Sequence, residues 1–179
     1  MRTFIAALIP EEIKLEMNRY IMDMKPHWEG VKWEKYEKLH LTLKFLGEVE
    51  ESKIEEIKIA LMESIKGYSP FMTGISGFGG FPSLKNPRVL FIGLSENRGL
   101  LRLQRKMEER LEPLGFKKES RIFISHVTIG RIKGRARSKG FFPIPQNISF
   151  SITEIALMRS VLHPEGSKYT PISVFRLTA

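Results

Sequence analysis

The chain has 179 residues, of which 42% are hydrophobic and 27% charged; its formal net charge is +9, and it contains no cysteine. This length and composition fit a globular unit with a sizeable core. The lack of cysteine excludes disulfides and thiolate metal sites. A basic balance of this size favours polyanionic partners, nucleic acid first. The apolar stretch near the N-terminus, Phe4 to Ile9, is too short for a signal sequence or a membrane span. A cytoplasmic protein with no membrane partner is the expectation.

In chain order, Arg2 to Leu8 reads as a first strand. Pro10, Glu11 and Glu12 suit the first turn of a helix, and Ile13, Met17, Tyr20, Ile21 and Met24 form its apolar stripe. Val31 to Trp33 is a short extended piece, and Leu39 to Leu46 a second strand. Ser52 to Glu55 has the pattern of a capping box, opening a helix with Ile54, Ile57, Leu61 and Ile65 on one side and Gly67 past its end. Phe71 to Phe81, broken by four glycines, predicts a strand with a bulge or bend. Arg88 to Leu94 predicts a strand, Gly99 to Leu111 a third helix, and Ile124 to Arg131 a further strand. A basic loop, Arg131 to Gly140, follows. Two strands, near Ser149 to Arg159 and Tyr169 to Leu177, close the chain around a turn at His163 to Gly166.

Two tripeptides stand out, His40-Leu41-Thr42 and His126-Val127-Thr128. A shuffled chain of this composition would carry two such pairs in about 1% of cases. In a strand, residues i and i+2 share a face, so each motif presents an imidazole and a hydroxyl opposite aliphatic neighbours. The histidines lie 86 residues apart, and the same shift places Arg2 on Arg88, Leu8 on Leu94, Met17 on Leu103 and Ile21 on Met107. Strand, helix and His-x-Thr strand thus occur twice at one offset, predicting a duplicated unit packed about a pseudo-twofold axis. Two histidines with pKa near neutrality can serve as acid and base at a phosphate ester. The threonine hydroxyls can donate to non-bridging oxygens. Without Cys, Asp or Glu in either motif, the pair is a poor zinc set, so no metal is expected. His27 and His163 lack the threonine and read as structural or surface residues.

The two motifs in a duplicated chain of this size resemble the 2H phosphoesterases, and within them the bacterial and archaeal RNA 2',3'-cyclic phosphodiesterases, formerly called 2'-5' RNA ligases. The resemblance extends to Arg2-Thr3-Phe4-Ile5-Ala6, Leu39 to Gly47, Phe81-Pro82, Pro87 to Leu90, His126 to Arg131 and Gly166 to Tyr169. Ser125 stands where that family often has proline. The resemblance implies a single α+β domain over 1–179, bilobal, with two antiparallel sheets lining a central cleft and helices outside. It implies hydrolysis of an RNA 2',3'-cyclic phosphate to a 2'-phosphate with no cofactor, on RNA ends such as those of tRNA fragments, by a monomer. His40 would be the proton donor and His126 the proton acceptor. Thr42 and Thr128 would bind the phosphate, and Arg131 would contact substrate; Phe4 is a candidate base-stacking residue against a plain core role. The residues alone do not distinguish acid from base. The alternatives are ATP-independent 2'-5' RNA ligation by the reverse reaction and a non-catalytic RNA-binding module. The basic loop, with Arg131, Lys133, Arg135, Arg137 and Lys139, is a candidate RNA-backbone contact.

Overall fold

The computed structural model describes residues 1–134 and 140–178. Nine strands and three α-helices form in the order β1 (Arg2–Ala7), α1 (Glu11–Met24), β2 (Val31–Trp33), β3 (Leu41–Glu48), α2 (Ile54–Ile65), β4 (Phe71–Phe81), β5 (Val89–Leu94), α3 (Arg98–Leu111), β6 (His126–Ile132), β7 (Ser149–Ile152), β8 (Glu154–His163) and β9 (Gly166–Arg176). The expected stripe of α1 is buried at all five positions. The Arg135, Arg137 and Lys139 part of the basic loop lies outside the described residues.

Three local expectations are corrected. The capping box does not form: Ser52 sits in a 3₁₀ turn, Glu51–Lys53, that runs straight into α2, and no side chain caps that helix. A helix entered through a preceding 3₁₀ turn has no extended N-cap residue to turn its hydroxyl inward. The cap that does form is Asn97 on α3, whose side chain accepts from the Leu100 N–H at 3.0 Å. The stretch Ser149 to Arg159 is two strands rather than one, divided at Thr153.

The third correction concerns the sheets. Instead of two separate sheets, the pairing follows one antiparallel path, β7-β4-β5-β6-β3-β1-β8-β9, with β2 joined to β6. Its centre is thin: β3 and β6 share the single residue pair Leu41↔Val127. Both side chains are fully buried, on the face covered by the helices. The other face carries the histidines.

Both central strands are bulged. On β3, Ala6 pairs with Thr42 and Ile5 with Lys44, leaving Leu43 extra. On β6, Phe91 pairs with Thr128 and Leu90 with Gly130, leaving Ile129 extra. A bulge lets one strand place consecutive residues on the same side, then resume alternation. On β3, the clamp comes from α3. Gln104 donates to the Leu43 carbonyl at 3.2 Å and to Glu108, while Lys44, buried on the helix side, pairs with Glu108 and donates to the Lys117 carbonyl at 2.9 Å.

Lys44 and Glu108 are 7% and 8% exposed, so removing one partner strands a desolvated charge. Glu108→Ala should therefore destabilise the protein by about 3–5 kcal/mol, whereas Lys44→Met with Glu108→Leu together should restore most of that loss. Thermal or denaturant unfolding of the two variants checks both parts.

Candidate active site

The Leu41↔Val127 pair sets the geometry. One step either side of it in the antiparallel register, Thr42 faces His126 and His40 faces Thr128. Alternation sends all four side chains to the face opposite the helices. Each is only partly buried, whereas Leu41, Leu43, Val127 and Ile129 are core. The structure thus brings the two sequence motifs to one place, each imidazole across from the other motif's hydroxyl.

Matched backbone contacts orient the rings. His40 Nδ1 lies 2.6 Å from the Lys38 carbonyl oxygen, and His126 Nδ1 lies 2.7 Å from that of Ile124. A carbonyl can only accept, so each Nδ1 carries a proton and donates. This assigns the same tautomer to both rings and leaves each Nε2 to exchange protons. His40 Nε2 is 2.8 Å from Thr42 Oγ1. When the ring is neutral the hydroxyl donates to it.

Aromatic packing fills the space behind the rings. Phe4 lies 4.8 Å from His40, and Tyr169 meets it edge-on at 5.3 Å. Phe81, edge-on at 4.9 Å, and Phe91 at 5.2 Å do the same for His126. Burial is the main cause that holds both histidines below their ordinary pKa; the Nδ1 bonds to carbonyls pull the other way. The two rings differ in their charged surroundings. Glu34 favours the charged form of His40, opposed by Lys38 and Arg131, while among the described residues Arg131 is the charge that disfavours the charged form of His126. Burial, then Glu34, raises the Tyr169 phenol.

Glu34 ties the rim together, 3.4 Å from Lys38 Nζ and 3.5 Å from Arg131 Nε. Lys38 also sits over the Tyr169 ring at 4.8 Å. Beyond this rim a groove of about 740 Å³ runs between β2 and the β8–β9 turn, with Lys32, Lys35, Arg131 and Lys168 among its walls. His163, expected to be a structural or surface residue, lies at that turn and lines the groove. Among the described residues, no three His, Cys, Asp or Glu side chains gather into a metal-holding group. No described helix is long and apolar enough to cross a membrane.

Of the residues expected from sequence, His40, His126, Thr42, Thr128 and Arg131 come together. Phe4 does not offer an open ring: it is 4% exposed, packed beneath His40 and Tyr169. Sequence reading assigned no role to Glu34, Tyr169, Phe81 or Phe91. It also overlooked the carbonyls of Lys38 and Ile124. These two residues obey the same 86-residue offset as the histidines, so the repeat carried a usable signal for them.

Comparison with known proteins shows the family. A family model described as LigT like phosphoesterase matches residues 8–91. The chain is 36% identical to an RNA 2',3'-cyclic phosphodiesterase of Methanothermobacter thermautotrophicus, covering 99% of each chain. It is 35% identical to a protein of the same name from Thermotoga maritima, covering 94% of this chain and 91% of that one. Among solved structures, one from Thermus thermophilus superposes with a TM-score of 0.85 at 30% identity, covering 99% of this chain and 98% of that one. Escherichia coli LigT complexed with 3'-AMP gives 0.82 at 27%, with the same coverage. Fold and paired motifs are those of the 2H phosphoesterases. Within them, the chain belongs to the LigT-like phosphoesterase family.

Both imidazoles should titrate below 6.5 in the free protein, because burial penalises the charged ring. Phosphate bound between them favours imidazolium and should move both values up. NMR titration of the ring protons, with and without phosphate, tests this; a ring titrating above 6.5 in the free protein contradicts the burial argument. The native state prefers neutral rings, so their contribution is present above pH 6.5 and is lost as pH falls through the lower folded values.

Proposed function

We propose that the protein hydrolyses RNA 2',3'-cyclic phosphate ends to 2'-phosphates, using His40 as acid and His126 as base, without a metal. The observation that carries this reading is the matched pair of Nδ1 anchors, which turns both Nε2 atoms to one face of the sheet, that of His40 against the Thr42 hydroxyl. A site with two equivalent proton carriers suits a reaction that needs one proton removed and one delivered. Relatives over the whole chain carry the phosphodiesterase name, and solved structures of Escherichia coli LigT include complexes with 3'-AMP and with phosphate.

In the proposed step, His126 Nε2 takes a proton from water as the water oxygen bonds to phosphorus. The P–O3' bond breaks, and His40 Nε2 gives its proton to O3'. The 2'-phosphate remains on the ribose. Thr42 and Thr128 donate to the non-bridging oxygens as charge builds there. The assignment of roles follows the family resemblance; beside His40, Glu34 favours the charged ring, and burial, Lys38 and Arg131 oppose it. The low imidazole pKa values leave the free site poorly charged, and the phosphate's own negative charge supplies the bias that protonates His40. The RNA strand would leave through the groove, where Lys32, Lys35 and Lys168 can meet its phosphates.

We also propose that the domain arose by duplication. Three observations support it. The bulges at Leu43 and Ile129 are 86 residues apart; the bridging pair Leu41↔Val127 joins equivalent positions; and the sheet path is mirrored about its centre, β5-β6 on one side and β3-β1 on the other. Antiparallel pairing of equivalent residues is what a local twofold axis requires.

His40→Ala and His126→Ala should each lower hydrolysis of a 2',3'-cyclic-phosphate oligonucleotide by roughly 10²-fold or more. Full activity in either variant would defeat the proposal. Separation of the products as 2'-phosphate, 3'-phosphate or ligated RNA distinguishes hydrolysis at the 3'-oxygen from the other outcomes. Turnover should survive EDTA, and its loss on chelation would restore a metal mechanism. Because substrate raises the imidazole pKa values, the optimum of kcat/KM should lie at lower pH than that of kcat; steady-state profiles measure both.

A further inference from the structure

Phe45 is 69% exposed, the only aromatic side chain of β3 and far more open than Phe4. Its direction follows from the bulge. After Leu43 and Lys44 turn to the helix side, alternation returns Phe45 to the cleft face, where it pairs directly with Phe4. The two rings are 6.2 Å apart, and Phe4 in turn lies 4.8 Å from His40. Phe4, like Ala6 and Ala156, is buried outside the helix-side core, which marks this face as the cleft side of the sheet. An open ring therefore stands next to the residue that packs beneath one imidazole.

The equivalent place on β6, one residue past Gly130 and the bulge at Ile129, is Arg131. It is 54% exposed and its charge reaches both histidines. The same backbone device thus delivers an aromatic at one end of the site and a cation at the other. Apart from this difference the two histidine motifs are closely alike. Arg2, two residues before Phe4 on the same side of β1, adds a positive charge whose influence reaches Tyr169.

We infer that Phe45 is the stacking surface for the base of the terminal nucleotide, and that Phe45 and Arg131 together set the direction in which the strand lies across the histidines, base towards Phe45 and the preceding phosphodiester towards Arg131. This rests on the phosphodiesterase reading of the site. An exposed ring binds any base through its π-face, so the contact gives affinity and orientation without sequence preference. A guanidinium suits a phosphodiester by charge and by its planar donors. Because Phe45 is open to solvent, its truncation removes ring surface without emptying the core.

The test is equilibrium binding, which needs no turnover. Calorimetry gives affinities for adenosine 2'-phosphate and for base-free ribose 2-phosphate with the unaltered protein, Phe45→Ala and Phe45→Trp. The preference for the nucleotide should fall by about 5- to 150-fold in Phe45→Ala and persist in Phe45→Trp. Arg131→Ala should instead abolish the tighter binding of a dinucleotide ending in a 2'-phosphate over the mononucleotide. Equal weakening of both ligands in Phe45→Ala, or no change in either, overturns the stacking role. An undiminished dinucleotide advantage in Arg131→Ala overturns the direction. A protein that binds with this pattern yet turns over no cyclic phosphate leaves the inference standing and removes the phosphodiesterase reading alone.

Discussion

Everything at the site depends on one backbone contact, the Leu41↔Val127 pair that joins β3 to β6. Two strands that paired along their length would form a continuous surface, with histidines buried in a row of neighbours. A single bridge holds the two strands in register while their outer parts follow other partners: β1 for β3, and β5 and β2 for β6. Two aliphatic side chains on the helix face thereby fix four polar ones on the other. The hydrophobic effect acts on Leu41 and Val127, which are fully buried, and the pleat transmits that placement to His40, Thr42, His126 and Thr128.

The second constraint is electrostatic. Lys44 and Glu108 bury opposite charges beneath β3, and Gln104 accompanies them on the carbonyl of the bulged Leu43. Such a pair contributes little net stability over an apolar replacement, because desolvation offsets attraction. What it does supply is location. The carbonyl set free by the bulge has a partner, and the strand is anchored to α3 at the residue where its alternation changes phase. Thr42 reaches the cleft by plain alternation, and Phe45 joins it there because of that phase change. On β6, Gly130 stands where Lys44 stands on β3, paired with Trp33 of β2; a Cβ there would lie 2.7 Å from the Val31 side chain.

The histidines illustrate how a largely apolar surround can serve a charged reaction. Burial among aromatic neighbours lowers both imidazole pKa values, so the charged form of each ring is disfavoured. Phosphate is then both substrate and electrostatic partner in the proposed mechanism. Its negative charge favours the imidazolium that it needs, while around His40 Glu34 favours the charged ring and Lys38 and Arg131 oppose it. Glu34 also bridges Lys38 and Arg131, two cations that line the groove.

Much of this was legible in the residues. The helical stripe of α1 and the strand character of both His-x-Thr runs are local patterns, and local periodicity dictates which side chains share a face. The sequence by itself therefore determined most of the elements, the two motifs and the family resemblance, whereas the division at Thr153 and the uncapped start of α2 were not legible in it. Other features were set only when the chain closed on itself. The joining of all strands into one path, the bulges that send Phe45 and Arg131 to the cleft, the burial of Phe4 under His40, and the approach of Glu34 and Tyr169 all arise between segments far apart in sequence. A bulge depends on which residue of one strand meets which of another, and a pKa on what surrounds the ring in space. Neither is encoded in the spacing along a single strand, so tertiary packing decided them.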